Sequence, residues 1–86
     1  MRPTTTLVQI RRSYVTDCGS FRLTVDTDAD GWMACVRNCA DVTLYAAQRC
    51  SLRAAQSAAT EFATYAGNSA GTPEAVARQL EWRVSW

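Results

Sequence analysis

The feature that most constrains the fold is a change of hydrophobic period at Ser51. Before this residue apolar and polar side chains alternate, as in strands that bury one face. After it, apolar residues recur every three to four positions, as in a helix. The pattern predicts an α+β fold. Its parts are an antiparallel meander of three to four strands packed on one long Ala-rich helix, a short C-terminal helix and, as an open alternative, a terminal strand.

The strand half divides at clusters of turn-forming residues. Residues 7–16 carry β-branched and aromatic side chains and predict the first strand. Turns are predicted at 17–20, 26–31 and 38–41. Alternation along the later strands predicts which side chains face the helix: Phe21, Leu23, Trp32, Val36 and Leu44.

The long helix has a start signal, an apolar stripe and a stop signal. Ser51 is a suitable N-cap, and Gly67 with Asn68 supplies the stop. So many small side chains on one face predict a helix lying close on the sheet. The predicted stripe consists of Leu52, Ala55, Ala59, Phe62 and Ala66.

A second helix is predicted from Thr72 as N-cap and Pro73 at the first helical position, ending near Gln79. The segment 80–86 is ambiguous, because its apolar residues fit helical spacing and also alternate. We favour a terminal strand, with the helix as the alternative. The alternating residues are Leu80, Trp82, Val84 and Trp86.

Length and composition set the class of protein. The 86 residues predict one domain spanning 1–86, with residues 1–6 frayed. An apolar run of membrane-spanning length and a secretory signal pattern are both missing from the sequence, which predicts a cytoplasmic protein. The net charge is +1, and all nine basic residues are arginine, a usage typical of a GC-rich bacterial genome.

The absence of histidine excludes Ser-His-Asp triads, Cys-His pairs and His-ligated metals. The sequence also shows no nucleophile–base pair, Gly-rich phosphate loop or matched pair of carboxylates. We therefore predict a protein that is not an enzyme and that uses no cofactor.

The loop 26–31 resembles the first half of a calcium-binding loop, with aspartates at alternate positions followed by a glycine: Asp26, Asp28, Asp30 and Gly31. The twelfth position, where such loops carry a bidentate glutamate, is Arg37. The flanks also predict strands, whereas calcium loops join helices. We interpret the segment as a hairpin loop and assign no metal ligands, with a weak calcium site outside the helix-loop-helix type as the alternative.

Four cysteines could hold zinc, but only Cys35 and Cys39 are closely spaced. Cys18 and Cys39 are predicted in turns, and Cys50 at the mouth of the first helix. A helix N-terminus lowers the pKa of a thiol, which makes Cys50 the candidate for reactivity. The favoured interpretation is four small, partly buried thiols.

The face of the sheet opposite the helix is the main candidate binding surface. Arginine, tyrosine and methionine are enriched in protein interfaces, so we predict a protein partner or a second copy of the chain. The alternative is single-stranded nucleic acid, bound by stacking and phosphate contacts. The predicted residues of this face are Arg11, Arg22, Thr24, Met33, Arg37, Thr43 and Tyr45.

The tryptophans near the C-terminal end are a second candidate. Trp82 and Trp86 lie on the same side whether the segment is helix or strand. They either complete the core or form an apolar patch for a partner. The partner-binding prediction includes both.

The segment 31–66, two strands followed by an Ala-rich helix, resembles HicB-type antitoxin domains. The resemblance covers about half of the chain and rests on the order of elements alone. It implies a partner-binding role. The sequence as a whole predicts a small interaction module that self-associates or binds a protein.

Overall fold

The computed structural model describes residues 12–67 and 71–85. A five-stranded antiparallel sheet packs against a fifteen-residue helix and a shorter one, which confirms the predicted α+β class. The strands have the order β4-β3-β2-β1-β5 in the sheet. The elements in chain order are β1 (Ser13–Cys18), β2 (Phe21–Asp28), β3 (Gly31–Arg37), β4 (Thr43–Arg49), α1 (Leu52–Ala66), α2 (Pro73–Gln79) and β5 (Arg83–Val84).

The strands of the meander follow the predicted order, but β1 ends later than predicted. β1 continues to Cys18, which pairs with Phe21 across a two-residue turn. The predicted placement of Cys18 in a turn is therefore wrong. The cysteine is buried on the helix side, because it continues the alternation that also buries Thr16.

The core lies between the sheet and α1. Leu23, Val25, Ala34 and Val36 are fully buried on the helix-facing side of β2 and β3. Burying a leucine side chain in this way contributes about 2 kcal/mol. Phe21 and Trp32 pack around this centre, and the prediction that they face the helix is confirmed, as it is for Leu23 and Val36.

Small residues allow α1 to lie close to the sheet. Ala55, Ala59 and Ala63 are spaced one turn apart and are buried. Thr60 and Thr64 are buried too, and each hydroxyl donates to the carbonyl four residues earlier. Of the predicted stripe, Ala55 and Ala59 are buried, Leu52 and Phe62 are half-buried and Ala66 is exposed.

The predicted helix ends are confirmed. The Ser51 hydroxyl accepts a hydrogen bond from the Ala54 backbone N–H at 3.1 Å. The N–H of Gly67 donates to the Ala63 carbonyl at 3.0 Å. At α2, Thr72 accepts from the Ala75 N–H at 3.2 Å, directly before Pro73. Asn68 lies outside the described residues.

The C-terminal segment forms the favoured strand. α2 ends at Gln79, and β5 pairs antiparallel with β1, with Tyr14 opposite Val84. The Ser85 N–H extends this pairing by donating to the Ser13 carbonyl at 2.7 Å. β5 therefore pairs with the first part of β1, from Ser13 to Val15.

Candidate interaction surface

The open face of the sheet carries three of the predicted site residues. Arg22 and Arg37 are opposite each other on β2 and β3, and Met33 lies further along β3. The Arg37 Nε donates to the Thr43 hydroxyl at 3.2 Å. Arg11 and Trp86, also predicted for partner binding, lie outside the described residues.

The charge on the open face is balanced. Asp17 lies 3.2 Å from Arg22 and 3.6 Å from Arg83, in ion pairs that are more than half exposed. Asp26 accepts a hydrogen bond from the Ser13 hydroxyl at 2.5 Å, and Asp28 follows it on the same side. Exposed pairs of this kind contribute little stability. Their carboxylates do reduce the positive potential that a nucleic-acid surface needs.

The predicted position of Tyr45 on the open face is wrong. Its ring stacks on Phe62 of α1, with 4.8 Å between the ring centroids, so it lies on the helix side. The cause is a register irregularity in β4: Tyr45 pairs with Val36, but Thr43 pairs with Arg37. The additional residue is Leu44, which was predicted to face the helix and is 43% exposed. Such a bulge inverts the alternation on its far side.

Trp82 is half-buried and packs against the core. This position agrees with the core alternative and not with an exposed patch. Val84, two residues later, is exposed. The tryptophan therefore contributes mainly to the packing of the C-terminal segment.

The loop 26–31 is shorter than predicted, because β2 extends to Asp28 and leaves only Ala29 and Asp30 as the turn. Asp28 accepts hydrogen bonds from the Ala29 N–H at 2.6 Å and from Gln48 Nε2 at 2.8 Å. Within residues 12–67 and 71–85, no three acidic or thiol groups lie together as metal ligands would.

The four cysteines are unpaired thiols. Cys18 is buried, and burial raises the pKa of its thiol. Cys39 and Cys50 are exposed, and Cys35 is half-buried on the open face.

The free edge of β4 is a feature that sequence reasoning missed. The Thr27 N–H donates to the Arg12 carbonyl, so along β2 the odd-numbered residues point their backbone groups at β1. Backbone direction alternates along a strand, so the even-numbered residues of β2 bond to their partners on β3. The same alternation applies to β3. Its even-numbered residues therefore form backbone hydrogen bonds with β4: Trp32, Ala34 and Val36.

It follows that Ala46 and Gln48 direct their N–H and C=O groups away from β3. Among the described residues, no strand pairs with that side of β4. At the other end of the sheet the two-residue β5 pairs with the first part of β1. The sequence gives only a weak signal that the edge of β4 is free, because this depends on which strand lies at the end of the sheet.

An apolar groove of about 430 Å³ runs beside this edge on the helix side. Tyr65 of α1 is 67% exposed there, next to the stacked rings of Tyr45 and Phe62. Val42 and Leu44 add exposed apolar surface at the beginning of β4. We define the β4 surface as the free edge of β4 together with these five side chains.

Comparison with known protein families, curated proteins and solved structures finds no match. The resemblance to HicB-type antitoxin domains thus stays a prediction. Among the described residues, no helix is long and apolar enough to cross a membrane.

Proposed function

We propose that the protein is a non-enzymatic interaction module that binds another polypeptide strand along the β4 surface. The observation that carries the proposal is the unpaired seven-residue edge of β4, flanked by exposed aliphatic and aromatic side chains. An extended polypeptide satisfies both the free donors and the free acceptors of such an edge. Pockets beside the edge then select its side chains.

The lack of protection on this edge supports the proposal. Soluble proteins usually guard edge strands with charged residues, proline or very short strands. β4 has neither proline nor acidic residues, and its one charge is Arg49, at the end of the strand. The bulge at Leu44 affects only the beginning, which leaves residues 45–49 regular. By contrast, the opposite edge ends in the two-residue β5 with Arg83.

Nucleic-acid binding by the open face is the second candidate. Its support is the group of arginines formed by Arg22, Arg37 and Arg83. The nearby Asp17 and Asp26 oppose it, because they would repel phosphates. We rank it below strand pairing for that reason.

The proposal extends to cellular location. Four unpaired thiols, two of them exposed, are typical of a reducing compartment. Together with the arginine usage, this supports a cytoplasmic, bacterial protein.

The test compares Ala46→Pro with Ala46→Thr. Proline removes the N–H that points to the free edge, and edge strands tolerate it there. Threonine keeps that N–H and suits a strand. Each tagged variant is purified from its source cells and analysed by native mass spectrometry, with circular dichroism as the check of folding. We expect assemblies with wild-type protein and Ala46→Thr, and loss of them with folded Ala46→Pro. Equal assembly of both variants, or no assembly of the wild-type protein, would refute the proposal.

A further inference from the structure

We infer that the strand paired with β4 is β4 of a second copy of the chain, antiparallel to the first and related by a two-fold axis at Ala47. The inference rests on the proposed function and gives its partner and register. It is carried by three properties of the β4 surface: the positions of its free backbone groups, the sizes and charges of its side chains, and the position of α1.

The free backbone groups select the register. Two antiparallel copies bond only where residues with outward-directed groups face each other, and on the regular part of β4 these are Ala46 and Gln48. An axis at Ala47 places Ala46 of each copy opposite the partner's Gln48, so that every one of these groups is used. An axis at Ala46 would place Gln48 opposite the bulged Leu44.

The side chains fit this register. Ala47 lies opposite Ala47 of the second copy, and these two residues do not hydrogen-bond to each other. Side chains come closest at such positions, so small residues are accommodated best there. Tyr45 lies opposite the partner's Arg49, which brings a cation to an aromatic ring. Arg49 is the one charged residue of the strand, so no like charges face each other between the two β4 strands. In the helix layer the groove is also lined by Glu61.

The two copies of α1 meet above the same two-fold axis. The Tyr45–Phe62 stack places these residues at one level along the sheet. α1 follows β4 after a two-residue connection and runs back along it. From the rise per residue of a strand and of a helix, Ala47 lies at about the level of Ala58. The axis therefore passes a small residue of α1 that lines the groove.

The two helices then pack side by side. α1 lies mainly over β3 and β4. Strand spacing places the α1 axes of the two copies roughly 10–14 Å apart, at or somewhat beyond the usual helix-packing distance. The exposed Tyr65 and the ring of Phe62 project into this gap. One occupant thus accounts for both the free edge and the groove.

The interface is small. About a dozen residues of each copy take part, which corresponds to roughly 1,000 Å² of total buried surface, at the lower limit for a specific complex. The surface of the chain is 5605 Å². We therefore expect reversible dimers with a Kd of about 1–100 μM.

The test joins the two copies by a disulfide at the axis. Cys35, Cys39 and Cys50 are replaced by serine, because Cys35 pairs with residue 46 across β3 and β4 and would form an intramolecular disulfide with the cysteine of Ala46→Cys. Ala47→Cys and Ala46→Cys are then compared in purified protein treated with diamide. At the proposed axis the two Cα atoms of residue 47 lie about 4.5 Å apart, within disulfide range. Those of residue 46 lie about 8–9 Å apart, because they are offset by two residues along the strands, and this is beyond that range. We expect Ala47→Cys to form covalent dimers about ten times faster.

The same samples without diamide are examined by sedimentation velocity over a concentration series. Amide exchange of Ala46 and Gln48 is followed over that series. We expect protection that increases with concentration. Faster cross-linking of Ala46→Cys would overturn the register. A monomer at all concentrations would overturn self-pairing, as would amides protected in the monomer. Strand pairing as such fails if folded Ala46→Pro keeps the assemblies found in the source cells, or if the wild-type protein forms none there.

Discussion

Replacing Gly31 by alanine is the substitution for which the structure predicts the largest local effect. A Cβ atom at this position would lie 2.4 Å from the Arg49 carbonyl oxygen and 3.2 Å from the Cys50 Cα. Both are backbone atoms where β4 ends, so neither can move without displacing the strand. The φ angle of Gly31 is +147°, a conformation that L-residues rarely adopt.

The expected loss of stability is the sum of two terms, backbone strain and steric overlap. Backbone strain at such an angle costs about 1–3 kcal/mol, and forced overlap in a packed region costs about another 1–3 kcal/mol. We expect a loss of about 2–6 kcal/mol, a large part of the total stability of a domain this size. For a domain of this length, 3 kcal/mol lowers the Tm by about 12 °C or more.

Gly19 provides the matched control. It also has a positive φ, of +61°, but nothing lies within 4 Å of the Cβ that alanine would add. Gly19→Ala therefore bears only the backbone term, about 1 kcal/mol, or less than 8 °C in Tm. Urea unfolding and thermal melting, followed by circular dichroism at one protein concentration, measure both variants. If Gly31→Ala is no less stable than Gly19→Ala, the close approach of β3 to the end of β4 is wrong.

The remaining predictions concern a cap, a thiol and the open face. Ser51→Ala should lower the free energy of unfolding, measured in urea, by about 1 kcal/mol, because the N-cap of α1 is lost. Ser57→Ala, on the exposed side of α1, should change it little. Equal effects of the two substitutions would contradict the capping role of Ser51. Burial raises the pKa of the Cys18 thiol. The buried neutral thiol therefore stabilises the fold at low pH, and this stabilisation is lost as the pH rises from the ordinary pKa of a thiol to the raised one. Stability should fall less from about pH 8 to about pH 10.5 in Cys18→Ala than in the wild-type protein, and parallel pH curves would refute this. Fluorescence anisotropy at physiological salt should detect no binding of a single-stranded oligonucleotide to the wild-type protein, because the open face is charge-balanced. If the wild-type protein does bind and an Arg22→Ala/Arg37→Ala variant does not, nucleic-acid binding would rank above strand pairing.

Local patterns were enough to predict most of the elements. The caps at Ser51 and Thr72 depend on side chains within a few residues of the helices that they begin. The end of α2 at Gln79 follows from the alternation that begins at Leu80. These signals are short-range, and the sequence contains them directly.

The candidate site was harder to predict, because it depends on pairing between strands. The bulge at Leu44 exists only relative to β3, and a shift of one residue moves Tyr45 from one face to the other. The free edge of β4 exists only because β5 pairs beside β1 at the far side of the sheet. Neither relation leaves a pattern within a single segment. The sequence analysis therefore proposed the open face of the sheet, whereas the β4 surface is defined only by the pairing of the strands.

The short strand β5 also bears on how far an assembly can grow. A sheet with two open edges can add copies at both sides without limit, as fibres do. In this molecule residues from the two ends of the described chain meet in the β1–β5 pairing, and Arg83 places a charge on that side. The two-residue β5 offers a partner strand little backbone to pair with, whereas β4 offers a regular edge over residues 45–49. If β4 pairs with β4 of a second copy as proposed, edge-to-edge association closes at two copies, and loss of β5 would open the edge of β1 to further copies.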